Sequence, residues 1–281
     1  MPMILNEEQN MLKDSAKDFC TSNAPIGQLR ELRDTDSAQG FDSATWNAMV
    51  ELGWAAIPWA EAHGGLEFGY KGLGVVTEET GRTLTASPLF ASAWVGGTLI
   101  NVGGSEQQKS ELLPKIATGE LLMALALEEG HRHAPYQIAT QASADGTNFV
   151  LSGKKTFVLD GHVAGTLIVA ARTSGENNSR DGISLFLVDS AAPGVSVLRT
   201  KMADARNAAN IEFAEVTVGA DSLLGELGHG AAVLDAGLDI ARIGLSAEML
   251  GATQECFERT VSYLKERKQF GVAIGSFQAL K

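Results

Sequence analysis

The sequence predicts an α+β chain of three parts: a helical segment to about residue 120, an antiparallel, barrel-like β segment from 121 to 226, and the start of a helical bundle from 227 to 281. Three observations carry this. Apolar residues recur at helical spacing through the first hundred or so residues. Near Leu121 the texture changes to short apolar runs, alternation and turn signals. From His229 to Arg267 helical periodicity returns without a break.

Asn6-Glu7-Glu8-Gln9 opens the first helix as a cap with acidic residues in its first turn. Met11, Leu12, Ala16 and Phe19 follow on one face. Asp42 or Ser43 caps a second helix bearing Trp46, Met49, Val50 and Leu52, and His63-Gly64-Gly65 marks a turn. Leu73 to Leu84 reads as a third helix, with Val75, Val76 and Leu84 apolar and Glu78, Glu79 and Arg82 polar. Ala91 to Leu99 reads as a central buried helix. Ser105-Glu106-Gln107-Gln108-Lys109 begins another, with Pro114 on the way to Gly119.

In the β segment, Phe149 to Leu151, a Ser152-Gly153 turn and Thr156 to Val158 read as a hairpin. Thr166 to Ala171, Ile183 to Val188, Ile211 to Phe213 and Val216 to Val218 are further strands. Ser174 to Ser179 is a polar surface loop. The last helix carries a stripe of Leu234, Leu238, Ala241 and Leu245. Its small residues Gly244, Ala247, Gly251 and Ala252 would admit a close neighbour. Arg267 and Lys268 fall in its final turn, where cations suit the helix dipole, and the chain leaves it at Gly271. A further helix is expected to begin at Ser276, just before the last residue, Lys281. An apolar stripe with no partner in the sequence predicts oligomerisation.

At 281 residues the chain can bury a large core. A net charge of −12 argues against nucleic acid as a partner. Two distant cysteines, Cys20 and Cys256, make no disulfide framework and favour a reducing compartment. No apolar run reaches membrane-span length, and Met1 to Glu8 lacks a basic n-region, so a soluble cytoplasmic protein is expected. His131 and His133, with Glu128 and Glu129 just before, read as a polar loop rather than a metal site. The Gly225, Gly228, Gly230 run has the wrong spacing for a dinucleotide fingerprint.

Several motifs, in order, resemble the acyl-CoA dehydrogenase flavoproteins. They are Leu5 to Leu12; Leu52-Gly53-Trp54 with Pro58 and His63-Gly64-Gly65-Leu66; Glu78-Glu79-Thr80-Gly81-Arg82; Gly104 to Lys109; Leu113-Pro114 before Gly119-Glu120; and Arg267-Lys268-Gln269-Phe270-Gly271 with Phe277-Gln278. The resemblance implies the three-part fold and an FAD-dependent α,β-dehydrogenation of an acyl-CoA thioester. A glutamate would take the α-proton, and the β-hydrogen would pass to the flavin as hydride. It implies an electron-transfer flavoprotein as acceptor.

By the same resemblance, Arg267, Phe270 and Gln278 belong to a flavin site across a subunit interface. Leu127, His133, Phe157 and Leu159 fall at the chain's own flavin cleft, and Asp239 and Arg242 at the acyl-CoA. Departures from the pattern concentrate in that cleft. Leu127 replaces a threonine, Arg132-His133-Ala134 stands for Gly-Ser-Asp, and Leu159 replaces a hydroxyl residue beside the flavin ring. No family base is visible, and Ala241 occupies its alternative position. Asp239 and Arg242, three residues apart, read equally as an intrahelical ion pair. The expectation is a subunit of a heteromeric enzyme, of the kind known among steroid-degrading members and acting on a bulky acyl-CoA. The alternatives are a non-catalytic partner completing a neighbour's FAD site and a redox-inactive acyl-CoA-binding scaffold.

Overall fold

The computed structural model describes residues 4–204 and 206–280. Helices α1 (Glu7–Asn23), α2 (Ile26–Asp34), α3 (Ser43–Glu51) and α4 (Gly69–Thr83) come first. A π-helical segment, Phe90–Gly97, runs directly into α5 (Thr98–Gly103), and α6 (Glu106–Ala117) follows. Capping boxes close the N-termini of α1, through Asn6 and Gln9, and of α6, through Ser105 and Gln108. Asp42 caps α3 by accepting the Thr45 N–H. α2 was not foreseen; it follows Pro25, and its short apolar face of Ile26, Leu29 and Leu32 is only half-buried.

The polar reading of Glu79 is corrected. Its side chain is buried and lies near Lys13 of α1 and Arg82, while Arg82 reaches Glu255 and Glu258 across the fold. Burial raises its pKa, and the two cations oppose that shift.

The middle part is one sheet: β1 (Met123–Ala126), β2 (Gln141–Asp145), β3 (Asn148–Leu159), β4 (Thr166–Arg172), β5 (Ile183–Asp189), β6 (Val195–Lys201), β7 (Asn207–Gly219) and β8 (Leu223–Leu224). Their order is β6-β7-β3-β2-β4-β5-β8, with β1 added parallel to β4 and most other pairs antiparallel. Period-two alternation lets β4 serve two cores. Leu167, Val169 and Ala171 pack within the sheet's own core, with Phe186 and Phe213. Ile168 and Ala170 face the helical core, with Trp94, Leu99 and Leu234.

The expected hairpin at Ser152-Gly153 is not a turn. β3 runs straight through it with a register shift between Leu151 and Gly153. Glycine is needed there because a Cβ would lie 2.4 Å from Thr140 Oγ1. The turn lies earlier, at Gly146-Thr147, between the paired residues Asp145 and Asn148.

α7 (Gly230–Glu266) crosses the helical part. Gly237, Gly244 and Gly251, seven apart and so on one face, sit where a Cβ would lie 2.4 Å from Leu99, 2.5 Å from Trp94 and 1.8 Å from the Glu78 carbonyl oxygen. A neighbouring stripe, Ile243, Leu250 and Phe257, is exposed. α7 ends before Arg267, which corrects the placing of Arg267 and Lys268 in its last turn. The run forms a small hairpin instead, β9 (Lys268–Gln269) against β10 (Val272–Ala273). Its two-residue turn has positive φ at Phe270 (53°) and Gly271 (82°), as such turns require. No regular α-helix starts at Ser276 among the described residues. Single turns at Ile274–Ser276 and Gln278–Leu280 stand there.

Candidate functional site

A cavity of about 760 Å³ opens where the π-helical segment, β1, β3 and α7 meet. That is the size of a small-molecule site. Each wall follows from a local feature. The π-helical segment presents Phe90, Ala91 and Val95; such segments recur at functional sites. The end of β1 and the residue after it supply Leu125 and Leu127, and α7 supplies Leu238, Ala241, Arg242 and Leu245. A second register shift in β3, between Lys155 and Val158, gives Phe157 a φ of 53° and brings it to the cavity beside Leu159.

The rim is the loop Gly130 to His133. His133 Nδ1 lies 2.6 Å from Glu128 Oε1, and Ala134 N–H donates to the other carboxylate oxygen at 3.1 Å. On the far side, Arg242 lies 3.4 Å from His133 Nε2 and pairs with Asp239 at 2.7 Å. The loop thereby bridges β1 to α7. Arg132 stands exposed beside it, with no ion-pair partner among the described residues. A second tie lies further along. Tyr136 and Arg180 both hold Asp235 of α7, and the Arg180 guanidinium stacks 4.4 Å above the Tyr136 ring.

Beneath the floor is a fully buried lysine. Lys155 Nζ donates to the Leu127 carbonyl at 3.1 Å and pairs with Glu129 at 2.6 Å. Burial pushes its pKa down to about 8, against the pull of Glu129. Burial would raise Glu129, but the Lys155 charge and the N–H groups of Thr140 and Ala139 outweigh it and hold that carboxyl low. This pair fixes the end of β1, and Leu127 with it.

Leu127, His133, Phe157, Leu159 and Arg242 are thus brought to one cavity, with Ala241 between Leu238 and Arg242. Asp239 pairs with Arg242 but does not line the cavity. Arg267, Phe270 and Gln278 do not line it either. Arg267 lies just before the exposed hairpin, Phe270 in its turn and Gln278 after it, with Phe270 93% accessible. Sequence reasoning missed Lys155, Tyr136, Arg180, Asp235 and Asn210. Lys155 alone carried a signal, lying at even spacing from the buried Leu151 in β3. Among the described residues no cluster of three metal-ligating side chains exists, and no helix is long and apolar enough to cross a membrane.

A profile of the acyl-CoA dehydrogenase N-terminal domain matches residues 6–120, the middle domain 124–216, and the C-terminal domain 228–281. The chain belongs to the acyl-CoA dehydrogenase family. It is 29% identical to the short/branched chain specific acyl-CoA dehydrogenase of Bos taurus mitochondria, over 98% of this chain and 64% of that protein. It is 31% identical to the probable acyl-CoA dehydrogenase YngJ of Bacillus subtilis, over 99% of this chain and 73% of that one. Among solved structures it resembles the steroid ACAD Tcur3481-Tcur3483, with a TM-score of 0.85 and 32% identity over 98% of this chain and 71% of that one.

The family's cofactor is FAD, and the cavity floor does not fit its ring. Leu127 and Leu159 offer no polar side-chain atom. Nearby backbone groups are used within the protein: Leu127 O accepts from Lys155, Glu128 O accepts the Thr156 N–H at 2.7 Å, and Phe157 N–H donates to Asn210. The Thr156 hydroxyl is turned to the Glu128 and Gly130 carbonyls. Each polar edge atom of a flavin left unpaired here would cost about 1–3 kcal/mol.

Proposed function

We propose that this chain is a subunit of a heteromeric acyl-CoA dehydrogenase. The assembly removes hydrogen across the α,β-bond of a bulky acyl-CoA thioester, and this chain contributes the flavin-poor cleft. The observation that carries the reading is the apolar floor of Leu127 and Leu159 together with an exposed Arg267 outside the cavity. A chain that held its own FAD would need polar side chains in that floor, whereas Arg267 would lie outside its own cavity in either case.

In this reading Arg267, Phe270 and Gln278 complete the FAD site of a homologous partner subunit. A guanidinium fork suits the pyrophosphate oxygens. Asp239 and Arg242 meet the CoA-proximal part of the acyl ligand. The base comes from the partner. Glu128 is the one carboxylate lining the cavity, and both its oxygens are engaged by His133 and Ala134. An electron-transfer flavoprotein accepts the electrons. The assembly works in the cytoplasm, an assignment supported by free cysteines at Cys20 and Cys256.

The test is dye reduction by acyl-CoA in the complex formed with a homologue that keeps the flavin motifs. Turnover is expected. Arg267→Ala should reduce FAD retention about tenfold or more, as loss of a charge-assisted contact does, without changing this chain's unfolding transition. Unchanged retention would remove the trans role.

A further inference from the structure

We propose that the loop at residues 37–40 is a proton-operated clasp: neutral His162 holds it against the sheet, and the imidazolium releases it together with α2. The loop joins α2 to α3 and gives four successive carbonyls to side chains of the sheet and its β3–β4 connection. Arg199 of β6 donates to Ser37 O, and to Ala38 O at 3.0 Å. His162 Nε2 lies 3.2 Å from Gln39 O. Asn207 of β7 donates to Gly40 O at 3.0 Å, and its own side-chain oxygen accepts from Arg199 at 2.9 Å. The seat is close. A Cβ on Gly40, whose φ is 71°, would lie 2.0 Å from Asn207 Oδ1. α2 has no fully buried residue of its own, so its place depends on such ties.

His162 is the member that can switch. A carbonyl only accepts, so Nε2 carries the hydrogen and Nδ1 of the neutral ring has none. Nδ1 is buried without a hydrogen-bond partner. Protonation puts a donor there with nothing to receive it, which is costly away from water. The surrounding charges add to that cost. Arg199 gives its hydrogen bonds to uncharged oxygens, so its charge still faces the ring. Asp36, just before the loop, is taken by Lys201 at 2.7 Å, and Arg206 by Glu248. Asp160, two residues before His162, is pushed up to about 7 by burial, so as pH falls it loses its charge before an imidazole gains one. Burial and Arg199 lower the His162 pKa, against the Gln39 hydrogen bond. Below the ordinary imidazole value the unfolded ring therefore binds more protons than the folded one. The clasp is fully held at neutral pH and weakens as pH falls. Its release reaches the cavity, because Thr200 and Met202, at and just after the end of β6, line it and also line a small cleft with Leu29 and Leu32 of α2.

Hydrogen–deuterium exchange of the full chain at pH 8 and pH 5, corrected for intrinsic rates, reads the clasp directly. Exchange across residues 26–40 is expected to rise about fivefold or more at pH 5, the equivalent of one buried donor left unpaired, while β4 and β5 stay protected. His162→Gln, neutral at both pH values and still able to donate to Gln39 O, should abolish the rise. Asp160→Asn should keep it. Nitrogen-15 NMR of the histidine rings reads the tautomer without any variant, and His162 should carry its hydrogen on Nε2 at pH 8. No rise in the parent protein, an equal rise in His162→Gln, or a hydrogen on Nδ1 overturns the inference. Loss of the rise in Asp160→Asn moves the switch to the carboxyl and overturns it as well.

Discussion

At the residue scale, the cavity is shaped by a few side chains whose surroundings set their charge. Asp160 follows the bulged end of β3, with a φ of 53° and its N–H on the Asn207 carbonyl. Burial pushes its carboxyl up to about 7, against the Arg206 charge and an Asn207 hydrogen bond. In the unfolded chain the same group titrates near 3.8. Between these values the folded state binds more protons than the unfolded one, so this group's contribution to stability falls as pH rises through the window. Asp160→Asn keeps the shape, and asparagine tolerates positive φ. The variant should lose this pH-dependent decline. Urea midpoints at pH 5 and pH 8 check it, and an unaltered difference between variant and parent would refute the assignment.

The residues of the cleft were legible only in part. Leu127, His133, Phe157, Leu159 and Arg242 were found because family motifs mark their positions, and they meet in one cavity. Lys155 was not, because a lysine in a strand ordinarily reads as solvent-facing. Its burial depends on Glu129, which is distant along the chain and comes beneath β3 only when the sheet forms. Tyr136, Arg180 and Asp235 meet for the same reason, from three separate segments.

At the element scale, α7 depends on glycines more than on its apolar stripe. Leu234 and Ala241 are buried, but Leu245 of the same stripe is 43% exposed. The contact with α4 is made where Gly251 meets the Glu78 carbonyl and Gly81 meets that of Glu248. Adding a methyl group there forces the two helices apart. Gly251→Ala should lower stability by about 1–3 kcal/mol, the usual cost of overpacking. Gly27→Ala in α2, where a Cβ meets nothing within 4 Å, should instead gain roughly 0.5–1 kcal/mol. Denaturant unfolding of both variants tests the pair, and equal effects would contradict this account of the crossing.

The elements themselves were largely readable, and the misreadings have local causes. Ser152-Gly153 resembles a turn by composition, yet its glycine serves close approach to Thr140. Asp145-Gly146 was the true turn signal, with Gly146 at a φ of 61°. Arg267 and Lys268 look like a cationic helix end, but the Phe270-Gly271 turn folds them into a hairpin. The long helix was plain because its periodicity is sustained, and its acidic cross-ties were not. Glu255 and Glu258 read as surface residues until Arg82 is placed opposite them.

At the scale of the whole molecule, two exposed apolar surfaces stand on and beyond α7 among the described residues. Ile243, Leu250 and Phe257 form an exposed apolar stripe on α7, and Phe270 stands out beyond its end. Such surfaces mark interaction sites. Together with Arg267 they support the proposed role, in which this chain gives residues to a neighbour's site. The fold alone does not decide between that role and an independent flavoenzyme, because both use the same architecture. Flavin content decides it most directly. The absorbance of FAD should be measured in the protein purified alone and again after co-expression with an acyl-CoA dehydrogenase homologue that keeps the flavin motifs. A colourless lone protein and a yellow complex with one FAD per pair of chains is the predicted result. Stoichiometric FAD in the lone protein would contradict it.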